Sequence, residues 1–149
     1  MSSQLDPSIL AAITEEARQC FLDEDAPEYL QMLEEGIKQR DSDFTLLLRA
    51  AHSIKGGAGL ASLTSLQELA HKLEDVLVGI QQGQIQEVDF AWNLVERGVN
   101  EVALILSQAR TVDNAIADPE LVEALGTLGA SAVASETETS EATTNGTDN

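Results

Sequence analysis

The sequence is short of rings and of positive charge. Aromatic residues make up 3 % of the 149: three Phe, one Tyr and one Trp. Strands draw on β-branched and aromatic residues. Their scarcity favours helices, with a core of Leu, Ile, Val and Ala drawn from a hydrophobic share of 43 %. Eight Lys and Arg stand against 26 Asp and Glu, a net charge of −18. Such a chain is repelled by a phosphate backbone and by an anionic lipid surface, so neither nucleic acid nor membrane is an expected partner. No apolar run approaches the roughly 20 residues that cross a bilayer, so no membrane insertion is expected. The one cysteine, Cys20, excludes an internal disulfide and a multi-Cys zinc site. Met1-Ser2-Ser3-Gln4-Leu5-Asp6 holds no basic stretch and no signal-peptide core. These absences point to a cytoplasmic protein. The length suits one domain.

Several chemical signatures are missing too. There is no phosphate-binding Gly-x-x-x-x-Gly-Lys loop and no dinucleotide fingerprint. No Ser-His-acid set suggests a hydrolase. Two histidines on different helices do not make a metal site by spacing, so no metal is expected. Asp23-Glu24-Asp25 lacks the ligand spacing of a calcium loop. It reads as a solvated connection, and Cys20 and Trp92 read as packing residues. Asp41-Ser42-Asp43 does not supply the Asp-Ser-Leu setting of an acidic carrier protein.

What is present reads as successive helices. Asp6-Pro7 and Asp118-Pro119 look like N-caps followed by Pro at the first helical position. Asp25 with Glu28 fits a capping box, and so do Thr64 with Gln67 and Ser65 with Glu68. Helices are predicted near 7–22, 26–40, 43–60, 65–82, 88–110 and 118–129. Short turns join them at Arg40-Asp41-Ser42-Asp43, Gln82-Gly83-Gln84 and Thr111-Val112-Asp113-Asn114. Leu66, Leu69, Ala70, Leu73, Val76, Leu77 and Ile80 keep the spacing of a core stripe. Phe44, Leu47, Ala50, Ala51, Ile54 and Ala58 form a second stripe, and Val88, Ala91, Trp92, Val95, Val99, Val102 and Leu106 a third, with Leu104 a candidate addition to it. Long amphipathic helices with short joints make an antiparallel bundle. The expected architecture is all-α, a four-helix bundle over 26–130 with an N-terminal helical extension over 1–25 and an extra C-terminal helix. Residues 131–149 hold acid, Ser, Thr and Ala but no Leu, Ile or ring. That stretch reads as a disordered acidic tail or linker.

One helix is odd on physical grounds. Gly56, Gly57 and Gly59 fall within four residues of it, and each Gly costs about 1 kcal/mol against Ala inside a helix. A helical wheel suggests their use. With Leu47 at zero, Lys55 falls near ~80° at the edge of the apolar stripe and His52 near ~140°, outside it. Gly56 and Gly59 follow His52 at i+4 and i+7 and share its face, which is thereby cleared of side chains. Gly57 points elsewhere and leaves room for a neighbouring helix. On the next helix, with Leu66 at zero, Glu74 falls near ~80° and His71 near ~140°. Like edges meet in antiparallel packing. His52, Lys55, His71 and Glu74 are therefore expected to converge. A carboxylate that accepts the proton of one imidazole nitrogen leaves the other free as a nucleophile. Glu74 is placed for that, and Lys55 for neutralising an incoming phosphoryl group.

Ala50-Ala51-His52-Ser53-Ile54-Lys55-Gly56-Gly57-Ala58-Gly59 resembles the His-x-x-Lys-Gly motif of histidine phosphotransfer (Hpt) domains. In detail it is similar to the N-terminal, P1-type Hpt domain of chemotaxis-type (CheA-like) histidine kinases. Leu66-Gln67-Glu68-Leu69-Ala70-His71-Lys72-Leu73-Glu74 resembles the next helix of that domain. The likeness covers roughly residues 28–110. It implies that His52 is phosphorylated on a ring nitrogen by a separate ATP-binding kinase domain and passes the phosphoryl group to an Asp of a response-regulator receiver domain. Lys55, His71 and Glu74 would be the supporting network, and Gly56 and Gly59 part of the docking surface. It further implies no cofactor on this chain, with ATP and magnesium on the partner domains. Ala61 and Ser62 depart from the family, which often has an aromatic and then a Gly there. Nothing is carried onto residues 1–25. The alternative from another class is a non-catalytic acidic adaptor that binds partner helices.

Overall fold

The computed structural model describes residues 6–39, 44–112 and 115–132. Every regular element among them is helical: α1 (Pro7–Cys20), a π turn (Phe21–Asp25), α2 (Ala26–Lys38), α3 (Phe44–Leu60), α4 (Thr64–Gln81) and α5 (Val88–Gln108). A last helix, α6, covers 119–132. α2, α3, α4 and α5 close a four-membered ring in which each helix touches two neighbours, with α3 against α4 the most extensive contact. α1 leads into the ring, and α6 is added outside it. No described helix is long and apolar enough to cross a membrane.

The predicted stripes make the core. Leu66, Leu69, Ala70, Leu73, Val76 and Leu77 are buried, and so are Leu47, Ala50, Ala51, Ile54 and Ala58. Ala91, Trp92, Val95, Val99, Val102 and Leu106 meet them from α5, while Val88 at its start and the candidate Leu104 are exposed. Trp92 sits at 5.6 Å from the ring of Phe44, one of the few aromatic pairs this composition permits. Cys20 is not a packing residue. It is exposed, and its Sγ lies 3.0 Å from Glu24 Oε2.

Two predicted caps are present. Asp6 Oδ1 accepts from Ser8 N at 2.8 Å, with Pro7 opening α1. Asp118 Oδ1 accepts from Glu120 N at 3.1 Å at the start of α6. The Asp25–Glu28 box does not form. A cap needs an extended Asp, and Asp25 stays helical with ψ −49° and no cap hydrogen bond from its side chain. The π turn carries α1 into α2 without a break. Its wider coil turns Phe21 and Leu22 into the core, where they are 3 % and 6 % exposed. The predicted boundary between 25 and 26 thus falls inside a continuous helical path. Neither proposed box opens α4. Leu63 occupies the N-cap without a side-chain bond, and Ser65 Oγ instead accepts from Ala117 N at 2.8 Å.

That bond anchors the approach to α6. Asp118 N also donates to Glu101 Oε2 at 2.6 Å. α6 then lies along α4, with Leu125 reaching Gly98 on α5 and Ala132 reaching Gly79. Ala132 is buried, so the helix runs two residues into the stretch read as tail. The predicted turns at Arg40-Asp41-Ser42-Asp43 and at Asp113-Asn114, and the tail beyond 132, lie outside the described residues.

The α3–α4 turn holds one strained residue, Ser62, with φ at 60°. A side chain in that region costs about 1–2 kcal/mol. Ser62→Gly is expected to raise stability by roughly 0.5–1 kcal/mol, because glycine's unfolded-state entropy offsets part of the gain. A chemical denaturation midpoint checks this.

Candidate functional site

α3 and α4 each bring one edge to a shared seam. Lys55 and Glu74 are the two seam-edge positions, and they meet. Lys55 Nζ donates to Glu74 Oε1 at 2.6 Å. The second carboxylate oxygen, Glu74 Oε2, lies 3.0 Å from His52 Nδ1. Glu74 is one-fifth exposed and Lys55 one-quarter, whereas the His52 side chain is 69 % exposed. A single carboxylate therefore bridges a cation and an imidazole, with the imidazole standing in solvent.

The electrostatics favour an ionised bridge. Burial pushes the Glu74 carboxyl up, but the hydrogen bonds and charges of Lys55 and His52 together outweigh it. The group is held below its ordinary value. Near neutral pH Glu74 is a carboxylate, an acceptor only. Its contact with His52 then requires a proton on Nδ1. In the neutral ring this leaves the Nε2 lone pair unprotonated, on an exposed side chain. Lys55 fixes the other oxygen and so sets the carboxylate plane. Lys55, expected as the cation for an incoming phosphoryl group, spends one of its three N–H donors on Glu74.

His71 does not join this bridge. Its Nε2 lies 3.4 Å from Asp75 Oδ2, one turn along the same helix, and both side chains are about half exposed. The wheel offset explains why. At ~140° from the stripe, His71 points to solvent as His52 does, and only the positions near ~80° face across the seam. His52, unlike His71, lies within reach of Glu74, its Nδ1 3.0 Å from Oε2.

The three glycines differ. A Cβ on Gly56 would meet nothing within 4 Å, so one turn beyond His52 the helix is bare. Gly59 is covered: a Cβ there would lie 2.7 Å from the Gln67 amide of α4. Gly57 faces the other way, and the Phe21 ring of the π turn rests on it so closely that a Cβ would collide. Gly56 therefore clears the His52 face, Gly59 admits Gln67, and Gly57 admits Phe21. Sequence reasoning named Gln67 only as a capping-box partner of Thr64 and did not single out Asp75. Their spacing from His71, four residues either way, was the available signal. The site is a surface rather than a cleft. A cavity of about 600 Å³ lies on the far edge of α4, against α6, lined by residues including Lys72, Val122 and Gly126.

The bare spot carries a prediction. Gly56→Leu should firm α3 by roughly 0.5–1 kcal/mol and raise the melting temperature. If this bare face is the docking surface that the resemblance implies, the same change should lower phosphoryl exchange with a partner protein at least tenfold, because a branched side chain would stand on it. Transfer at the native rate would show that the cleared face has no role in docking.

Comparison with known proteins gives a concordant result. The family model for the Hpt domain matches residues 16–112. A "Chemotaxis protein CheA" from Cereibacter sphaeroides is 31 % identical over 96 residues, which is 62 % of this chain and 14 % of that protein. A "Chemotaxis protein CheA" from Salmonella typhimurium is 50 % identical over 40 residues, 27 % of this chain and 6 % of that protein. The chain thus spans only a small part of the length of these relatives. No solved structure matches it at the same stringency. With the family model covering well over half of the sequence and both CheA proteins alike to it, the chain belongs to the histidine phosphotransfer (Hpt) domain family.

Proposed function

We propose that His52 is the phospho-accepting residue of this Hpt domain. It takes a phosphoryl group from ATP held by a kinase catalytic domain and yields it to an Asp of a response-regulator receiver. The observation that carries this is the Glu74 bridge, which accepts from one imidazole nitrogen and leaves the other exposed. The likeness to two CheA proteins favours the N-terminal part of a chemotaxis-type kinase as the natural setting.

In the first transfer, the Nε2 lone pair attacks the terminal phosphorus of ATP. The bond from that phosphorus to the bridging oxygen breaks, and ADP leaves. The ring keeps its Nδ1 proton and becomes a cation, so the ionised Glu74 gains a charge-assisted hydrogen bond as the reaction proceeds. In the second transfer, a carboxylate oxygen of the receiver attacks the phosphorus. The N–P bond breaks and its electron pair returns to Nε2, which restores the neutral ring. Phosphoryl transfer depends chiefly on positioning and electrostatics. This chain supplies a nucleophile in the right tautomer on a face a protein can approach. The partners supply the nucleotide, the magnesium and the acceptor.

A two-stage label experiment tests this. With labelled ATP and a chemotaxis-type kinase catalytic domain in trans, the full chain should acquire label. Adding a receiver domain should move that label to the receiver. A chain that binds either partner yet never carries label would be an adaptor instead.

A further inference from the structure

α3 stands apart from its surroundings in charge. The chain carries −18, and α1, the π turn, α2, α4, α5 and α6 all hold Asp or Glu. α3 (Phe44–Leu60) holds none. Its charged residues are Arg49 and Lys55, with His52 between them. Lys55 is engaged by Glu74 at 2.6 Å. Arg49 is exposed, and among the described residues it holds no hydrogen bond or ion pair. It lies three residues before His52, so the two share one helix face. Helical side chains lean toward the N-terminus, which tips the His52 ring over the turn that carries Arg49.

We propose that Arg49 is the cation that binds the phosphoryl group on His52. This rests on His52 being the acceptor. A phosphoryl group on Nε2 brings negative charge to a molecule already rich in it. The charged and titratable groups around it are Arg49 and Lys55 on α3, and Glu74, His71 and Asp75 on α4. Four of these five are already paired: Lys55 with Glu74, which also holds His52, and His71 with Asp75. Arg49 alone offers an unengaged cation, and a guanidinium presents paired N–H donors that suit phosphoryl oxygens. The same charge would draw a nucleotide or an acidic receiver pocket to this face of an acidic protein.

The test uses the full chain and phosphoramidate, a small donor that needs no partner protein. Nε2 of His52 displaces ammonia from phosphorus, the P–N bond of the donor breaks, and the Nδ1 proton stays on the ring, donated to the ionised Glu74. Phosphorus NMR then follows the titration of the bound phosphoryl group in the native chain, Arg49→Gln and Arg49→Lys. Removing one exposed charge about 5 Å away should raise the titration midpoint by roughly half a pH unit in Arg49→Gln. Arg49→Lys should keep the native midpoint, which a purely structural role would not explain. An unmoved midpoint in Arg49→Gln, with His52 phosphorylated in the native chain, would overturn the assignment of Arg49 alone. A native chain that takes up no phosphoryl group on His52 would overturn the functional reading, and this inference with it.

Discussion

Replacing His52 with Gln should abolish phosphoryl uptake and leave the fold intact. The side chain is 69 % exposed and sits outside the core stripe, so its packing contribution is small. Exposed substitutions usually change stability by less than about 0.5 kcal/mol. Gln keeps an N–H donor for Glu74 but has no ring nitrogen with a free lone pair. Label from ATP should therefore fall to background, while the melting curve stays where it was. A melting temperature that collapsed with the label would mean that His52 holds the structure. Label that persisted would move the chemistry to another residue.

The second large effect is expected at Glu74. Removing the carboxylate with Glu74→Ala frees the imidazole to rotate and to change tautomer. It also removes the charge that offsets the developing cation. A loss of about 10²-fold in the rate of phosphorylation is expected, the lower range for groups that act on a proton or its position. Stability should fall by less than about 1 kcal/mol, because the bridge is a partly exposed ion pair. Single-turnover kinetics checks the first figure and denaturation the second. The pH dependence has a definite sign. Because the folded carboxyl lies below its ordinary value of 4.5, the bridge contributes fully above that value. Its contribution is lost only as pH falls through the lowered one. Native rate in Glu74→Ala would remove Glu74 from the mechanism.

The site was legible where periodicity governs and obscure where a local alternative competes. The stripes on α3 and α4 located the seam, and Lys55 and Glu74 fell at matching offsets on its two sides. Their 2.6 Å contact follows from that register. The same arithmetic over-reached with His71. An offset shared with His52 says that both point outward, not that they touch, and Asp75 one turn away offers a nearer partner. The π turn was hidden for a different reason. Asp25 with Glu28 has the composition of a capping box, but a cap forms only if the chain leaves the helix. Burial of Phe21 against Gly57, together with Leu22, keeps the chain helical from α1 into α2. Only three dimensions reveal that Gly57 and Phe21 face each other across 36 positions. The role of Gly59 was misjudged similarly. Its face is right, but Gln67 already lies over it.

The measurement closest to the central claim is the position of the phosphoryl group on the native chain. After reaction with ATP and a chemotaxis-type kinase catalytic domain, mass spectrometry assigns the residue and heteronuclear NMR the ring nitrogen. One phosphoryl group, on His52 and on Nε2, is the expected result, because Glu74 holds Nδ1. A phosphoryl group on His71, or on Nδ1 of His52, would contradict it.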